Sequence, residues 1–228
     1  MEVKQIMTFA GFVPVDDINP QGTFMSSKPL IIQLLGQSRS GKDWTAEQLK
    51  LAFEAQGKSV AVMSYAAPMK RIAASLFGIS LDELDKYKNN PSHYSIWVCT
   101  PSNHTVLNHF NFRTFLQRLG NESMKPEFGN TVWAELMKTQ ISQTDVDVVI
   151  ITDCRFQVEL STFPGAITIR VINRDLPTPM NHASETELLD FVPDYELDNT
   201  AHALKYGHIE EFISTISPAL YCFQPHTV

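Results

Sequence analysis

Eight residues carry the clearest chemistry in this sequence. Gly36-Gln37-Ser38-Arg39-Ser40-Gly41-Lys42-Asp43 fits the spacing G-x-x-x-x-G-K, with Asp43 where Ser or Thr is usual. The two glycines admit backbone geometry that a Cβ forbids, so successive N–H groups can turn inward around a phosphate. Lys42 supplies a mobile charge for the β- and γ-phosphates, and a helix beginning nearby adds the partial positive charge of its N-terminus. The same composition could make an ordinary strand–turn–helix connection. The apolar run Leu30-Ile31-Ile32-Gln33-Leu34-Leu35 before it and the helical pattern after it are the context that phosphate binding demands. Asp43 either serves Mg2+ directly or through water, or sits in the first helical turn, where negative charge is favoured.

Asp153 ends a second apolar run, Val146 to Thr152, where a charge is costly unless paired or placed on a metal. In a phosphate-loop enzyme this is the position of a carboxylate near Mg2+; the alternative is a strand-end Asp capping the next helix. The metal candidates are therefore Asp43 and Asp153. Phosphoryl transfer also needs cations around the moving group, and Arg39, Arg113, Arg118, Lys125, Arg155 and Arg170 are the candidates. Arg offers a planar fork for phosphate oxygens, which favours Arg155, two residues after Asp153. Lys70 and Arg71 follow another strand and are candidates for an acceptor phosphate, whereas Lys50 and Lys138 read as solvated surface. The donor-nucleotide set is Gly36, Ser38, Arg39, Ser40, Gly41, Lys42, Asp43 and Trp44, with Arg170; the catalytic set is Lys42, Asp153, Arg155, Arg113, Arg118 and Lys125. His93, His104 and His109 match no zinc spacing, and there is neither a nucleophile triad nor a paired-cysteine redox motif. The choice is between a phosphotransferase and a nucleotide-hydrolysing switch or motor; the sensor loop and partner-binding surface that a switch or motor needs are not identifiable, and a non-catalytic nucleotide-binding module is the remaining alternative.

These residues need elements to hold them. A chain of 228 residues suits one domain with a small excursion, and 43% hydrophobic residues can bury a substantial core. The net charge of −7 gives no general attraction to polyphosphate backbones, so contact with DNA would need a local basic patch. Cys99, Cys154 and Cys222 are far apart and read as reduced thiols, Cys154 as a small core residue. No apolar run reaches the length of a membrane span and no signal-peptide pattern opens the chain, so a soluble, cytoplasmic protein is expected.

In order, the pattern predicts an irregular arm over 1–29, a strand at Leu30–Leu35, and a helix from Asp43 to Ala55 with Trp44, Leu49, Leu51, Ala52 and Phe53 on its apolar side. A strand over Ser59–Tyr65 follows, then helices from Pro68 to Phe77 and from Leu81. The polar and aromatic stretch from Lys86 to Asn111 is too irregular for a core element and either covers a substrate or forms a surface loop. Helices are expected over Phe112–Gly120 and Thr131–Thr139 with turns over Asn121–Asn130 between them. Strands at Val146–Thr152, Ala166–Ile172 and Tyr195–Asn199, a helix from Phe156 and another over Gly207–Ile216 complete the domain. Strands separated by helices imply an α/β fold with three α/β/α layers and a mainly parallel sheet, which binds ligands at the carboxyl ends of its strands. The expected organisation is a kinase domain over 30–217, with a helical lid or acceptor-binding excursion over 86–130 and a tail over 218–228.

Several segments together resemble the phage deoxynucleoside monophosphate kinases. They are the loop Gly36–Asp43, Ser64-Tyr-Ala-Ala-Pro-Met-Lys70, Arg113-Thr-Phe-Leu-Gln-Arg-Leu-Gly-Asn-Glu122, Ile151-Thr-Asp-Cys-Arg-Phe156, His182-Ala-Ser-Glu185 and Asp194-Tyr-Glu-Leu-Asp-Asn199. The resemblance runs from about residue 30 to 215 and implies a P-loop fold similar to nucleoside monophosphate kinases, with ATP and Mg2+ as donor and a deoxynucleotide as acceptor. It implies that Lys42 holds the donor phosphates, that Asp153 and Arg155 serve the transfer site, and that Arg113, Arg118 and Lys125 clamp phosphates on closure. Lys125 stands where the family commonly has Arg, and the pattern accounts for neither the 1–29 arm nor the 89–111 segment. Two relatives widen the range of acceptors. Animal-type phosphomevalonate kinases share the Ser-Gly-Lys-Asp loop, and related phage kinases phosphorylate the hydroxymethyl group of 5-hydroxymethyluracil in DNA, for which the 87–112 aromatics could stack on a flipped base. The expected partner is thus a deoxynucleotide or a hydroxymethylated pyrimidine, with DNA not favoured by the net charge, no membrane, and a homodimer left open.

Overall fold

The computed structural model describes residues 5–8, 11–14, 28–89, 96–100, 103–107, 111–176, 186–200 and 212–214, with backbone alone at 5–8, 11–14, 89, 96–100 and 103–107. The stretch expected as an irregular arm contains an antiparallel pair, β1 (Gln5–Thr8) with β2 (Gly11–Pro14), Gln5 lying opposite Pro14. Strands of four residues set among glycines and prolines are too short to show an alternation, which is why periodicity missed them.

The chain divides into two compact units, Met1–Ser64 with Ala134–Val228, and Tyr65–Trp133. The first is built on five strands: β3 (Leu30–Leu35), β4 (Val60–Met63), and, numbered after the second unit's β5 (Ile96–Thr100) and β6 (Asn103–Leu107), β7 (Val148–Ile151), β8 (Ile167–Ile172) and β9 (Tyr195–Asp198). Their order is β4-β7-β3-β8-β9 and every pairing is parallel. Ile32 and Leu34 of β3 point into a core shared with Ala46, Leu49 and Phe53 of α1 (Lys42–Ala55), while Gln33 and Leu35 are equally buried on the other face. All four residues of β7 are buried as well. Two-sided burial of the central strands is the signature of a sheet sandwiched between helical layers, so the fold is the expected three-layer α/β/α arrangement. The apolar side of α1 is narrower than expected: Trp44 and Leu51 stand 38% and 51% exposed. The expected closing helix is described only at 212–214, where Phe212 and Ile213 join the core. The 218–228 tail lies outside the described residues.

The second unit holds α2 (Ala67–Phe77), α3 (Leu81–Asn89), the antiparallel pair β5 (Ile96–Thr100) and β6 (Asn103–Leu107), and α4 (Phe112–Gln117). Phe112 and Leu84 are fully buried there, with Phe77 set edge-on to Phe112 and Phe115 at ring separations of 5.1 and 5.2 Å. The segment over 86–111 therefore contains a hairpin, which its scattered Asn and His concealed. The turns expected over Asn121–Asn130 are also corrected: α4 runs on as a π-helical stretch, Arg118–Met124, into α5 (Lys125–Phe128). Gly120 is the reason this stretch can pack: Met69 Sδ lies 2.6 Å from where a Cβ would stand, and Trp133 Nε1 donates to the Gly120 carbonyl at 3.3 Å. The unit boundary falls within α6 (Val132–Ser142), and α7 (Gln157–Leu160) is a single turn after β7.

At the amino edge of the sheet the same device appears twice. Asp147 Oδ2 accepts from the Ser59 N–H and hydroxyl, both at 2.8 Å, and Asp194 Oδ2 accepts from the Thr168 N–H and hydroxyl at 2.8 and 2.7 Å. Each carboxylate registers one strand against its neighbour. The Ser59 N–H, then its hydroxyl, hold the Asp147 carboxyl below its ordinary value. A folded pKa below the unfolded one adds stability that is present at neutral pH and lost as pH falls through the carboxylate range, below about 4. Asp147→Asn should therefore flatten the fall in stability across that range, read by denaturant titration at stepped pH. A variant with the wild-type acid dependence would remove Asp147 from the account.

Candidate functional site

The loop between β3 and α1 leaves the sheet with three positive φ values in six residues: Gly36 at 135°, Arg39 at 68° and Gly41 at 98°. At two of these, space as well as torsion requires glycine. A Cβ on Gly36 would stand 2.4 Å from the Val171 carbonyl oxygen of β8, and one on Gly41 would stand 1.8 Å from Asn199 Nδ2. Inside the loop the Ser40 N–H donates to the Gln37 carbonyl at 3.1 Å, and the Thr45 N–H makes the first helical bond to Gly41 at 2.9 Å. Alternation of right- and left-handed residues in this way is how a chain gathers N–H groups into an anion-binding concavity.

Lys42 is buried, and its Nζ donates to the Gly36 and Gln37 carbonyls at 2.8 and 2.7 Å. The hydroxyls of Ser40 and Thr45 are buried with no hydrogen-bond partner among the described residues. Buried hydroxyls are rarely left so, and two at the head of α1, beside a buried ammonium, suit an anionic group carrying many acceptor oxygens. Asp43 and Trp44 are exposed at the start of α1, Arg39 is exposed on the loop, and Ser38 is half-buried.

Two strands along the sheet, the Ser64 hydroxyl donates to Asp153 Oδ2 at 2.8 Å, and the Thr152 N–H donates to the Met63 carbonyl at 3.0 Å. The ends of β4 and β7 are thus tied together at the residue expected to face Mg2+. The turn that follows is fixed by Glu159, a buried carboxylate that accepts from the Arg155 N–H at 2.7 Å and the Phe156 N–H at 3.0 Å. Gln33, the only polar residue of β3, donates from Nε2 to the Glu159 carbonyl at 3.1 Å. Cys154 is buried as expected of a core residue; burial first, then the charges of Glu159 and Asp153, push its thiol far above the ordinary range. It is no nucleophile.

Arg170, expected beside the donor phosphates, places Nη2 on the carbonyls of Leu188 and Phe191 and Nη1 3.9 Å from Glu196. Those contacts fasten the 188–191 turn to β8. With Gly36, Gln37, Cys154, Arg155 and Asn173, Arg170 also lines a cavity of about 190 Å3 at the carboxyl edge. The structure therefore gathers Gly36–Trp44, Asp153, Arg155 and Arg170 in one unit, at that edge of the sheet.

The remaining candidates belong to the second unit. Arg113 is half-buried on α4, Lys125 half-buried at the start of α5, and Arg118 exposed with Nε 3.8 Å from Glu122. Lys70 pairs with Asp85 at 2.9 Å, and Arg71 is exposed. The 182–185 motif lies outside the described residues, as do His93 and His109. Among the described residues no three His, Cys, Asp or Glu side chains cluster as a metal site, and no helix is long and apolar enough to cross a membrane.

Four residues that position the site were given no role from the sequence: Gln33, Ser64, Glu159 and Asn199. Gln33 had a signal, being a lone amide in an apolar strand. Glu159 had one too, since a Glu three residues into a helix reaches back to the N–H at its start.

No protein-family model matches the chain, and no curated protein matches it. Among solved structures, an APS kinase of Mycobacterium tuberculosis aligns over 85% of this chain and 98% of its own at 12% identity, with a TM-score of 0.37. A sugar kinase from Janibacter sp. aligns over 84% and 98% at 14% identity and TM-score 0.38, and a shikimate kinase from Bacteroides thetaiotaomicron over 84% and 98% at 12% and 0.34. None of them shares enough sequence or shape with the chain to lend it a substrate.

Gly36→Ala should expose the tightness of the loop directly. Backbone strain of about 1–3 kcal/mol, added to the clash with Val171, should lower the melting temperature by several degrees. An unchanged melt would show that the loop has room to move.

Proposed function

We propose that the protein is an ATP- and Mg2+-dependent phosphotransferase whose acceptor is a deoxynucleoside monophosphate. The observation that carries the first half is the buried Lys42 ammonium, gripping two carbonyls of a glycine loop at the head of a 14-residue helix. Moving an ammonium out of water is expensive, and a fold keeps one there when it has an anion to meet. The orphaned Ser40 and Thr45 hydroxyls fit the same triphosphate.

The residues present also fit Mg2+. A metal that keeps several waters and binds through one or two carboxylates plus phosphate oxygens needs no dedicated cage, so Asp43, exposed at the head of α1, or Asp153, at the end of β7, would hold it directly or through water. When bound, the metal neutralises charge on the donor phosphates. The chain's own residues do the rest. Gly36–Asp43 hold the donor phosphates through backbone N–H groups, and Lys42 exchanges its carbonyl partners for phosphate oxygens. Ser64 keeps Asp153 turned to one rotamer, and Glu159 holds the backbone from which Arg155 projects. The acceptor oxygen–phosphorus bond forms as the bridging bond to ADP breaks, so catalysis is a matter of positioning and fixed charge.

The deoxynucleotide acceptor is supported by the ordered sequence resemblance, in which Arg113, Arg118 and Lys125 would clamp phosphates. An ATP-consumption screen across the four deoxynucleoside monophosphates, phosphomevalonate, and DNA with or without 5-hydroxymethyluracil tests it. Turnover with a free deoxynucleotide is expected; stimulation by DNA or by phosphomevalonate alone would overturn the acceptor while leaving the phosphotransferase. Lys42→Ala should reduce turnover by three orders of magnitude or more, and an active variant would sink the phosphate-loop assignment. Asp153→Asn should shift the Mg2+ titration to higher concentration, and an unmoved titration would take Asp153 away from the metal.

A further inference from the structure

The amide of Asn199 has no part in the chemistry above, yet it reaches the centre of the loop. Its Nδ2 donates to the Ser40 carbonyl at 2.6 Å across 159 residues of chain, and it is the group that a Cβ on Gly41 would strike. Asn199 is itself held rigidly. Its backbone N–H donates to the Ile172 carbonyl at 2.6 Å, one residue beyond the β8–β9 register. The residues on either side are braced: Asp198 accepts from the Thr200 N–H at 3.0 Å and from Arg174 Nε at 3.0 Å, and the Arg174 N–H donates to the Thr200 hydroxyl at 3.0 Å. A side chain on so fixed a stem transmits its position to whatever it bonds.

What it fixes is a peptide plane. In a trans peptide the carbonyl and the following N–H point in opposite directions. Drawing the Ser40 carbonyl toward Asn199 therefore turns the Gly41 N–H the other way, away from Asn199. We infer that Asn199 is a positioning residue for phosphate binding: it locks the Ser40–Gly41 peptide so that the Gly41 N–H is presented to the donor's phosphates. The orientation it selects is the one that leaves Gly41 at φ 98°, where glycine is cheap and other residues are not. The inference rests on the reading of Gly36–Asp43 as a phosphate loop. It adds that the end of the sheet's edge strand sets the loop's affinity.

The test separates phosphate from nucleoside. Full-length protein is titrated with a fluorescent ATP analogue, and the complex is competed with inorganic tripolyphosphate, which has no base or ribose. Asn199→Asp keeps the size but turns a donor into an acceptor facing the Ser40 carbonyl; Asn199→Ala removes the contact. Both variants should bind the analogue and tripolyphosphate about tenfold more weakly, the order expected for one hydrogen bond and the ordering it imposes. Their melting temperatures should stay within a few degrees of wild type. Unchanged affinity for tripolyphosphate overturns the inference, including the case in which only the ATP analogue is weakened, because Asn199 would then be serving the nucleoside. So does a melt that falls far enough to unfold both variants at the assay temperature, which would make Asn199 a structural clamp. Wild-type protein that binds neither probe would overturn the phosphate reading itself, and the inference with it, without recourse to any variant.

Discussion

Close approach is the constraint on which the rest depends. Two atoms, the Val171 carbonyl oxygen and the Asn199 amide nitrogen, stand so near the loop that Gly36 and Gly41 have no room for a methyl group. Both come from the β8–β9 side of the sheet, so the loop's shape is dictated by strands that lie more than a hundred residues further along the chain. That is possible because β3 is central: β7 pairs with one side of it and β8 with the other. Both contacts come from the β8 side, and with positive φ at Gly36 and Gly41 they make glycine the residue that fits there.

The carboxylates divide by sheet edge. At the amino edge, Asp147 and Asp194 each use one carboxylate oxygen to accept from the N–H and hydroxyl of a neighbouring strand. At the carboxyl edge, Glu159 does similar work for the turn after β7, buried and satisfied by two N–H groups. Asp153 differs. It is half-buried, and among the described contacts it takes a hydroxyl from Ser64 on a parallel strand end, which orients a carboxylate without neutralising it. Ser64 thus sets the direction of the Asp153 carboxylate at the carboxyl edge, whereas the amino-edge carboxylates serve strand register.

The layered architecture and the loop could be read from residue order because both are written in local patterns: apolar strand runs, the first ending in Gly36, and helical periodicity after Lys42. The long-range pairings that support the site could not, since each joins distant parts of the chain. Ser64 meets Asp153 across 89 residues, Gln33 meets Glu159 across 126, and Asn199 meets Ser40 across 159. The antiparallel pairs at 5–14 and 96–107 were lost for a different reason, since strands of four or five residues are too short to carry a period. Arg170 carries a contact that residue type did not suggest: its guanidinium holds two carbonyls of a turn while it lines the cavity beside Gly36 and Arg155.

Lys42 joins these threads. Its ammonium bridges the Gly36 and Gln37 carbonyls, so the loop is braced from within by the charge that phosphate would meet. Hydrogen bonds from a charged donor contribute about 1.5–3 kcal/mol each, comparable to the strain of the left-handed residues they hold in place. If phosphate oxygens replaced the carbonyls as acceptors, as the proposed function has it, the ammonium would lose little, because neutral partners would give way to charged ones. The carbonyls, however, would lose their cation, and the loop would relax unless something else held it. The close approach of Val171 to Gly36 and the Asn199 bond are what remain: one leaves no space for a Cβ there, the other holds the Ser40–Gly41 peptide by its oxygen. Under the proposed function, internal bracing by Lys42 and external bracing by the sheet's edge would be complementary, the first given up to a phosphate and the second left in place.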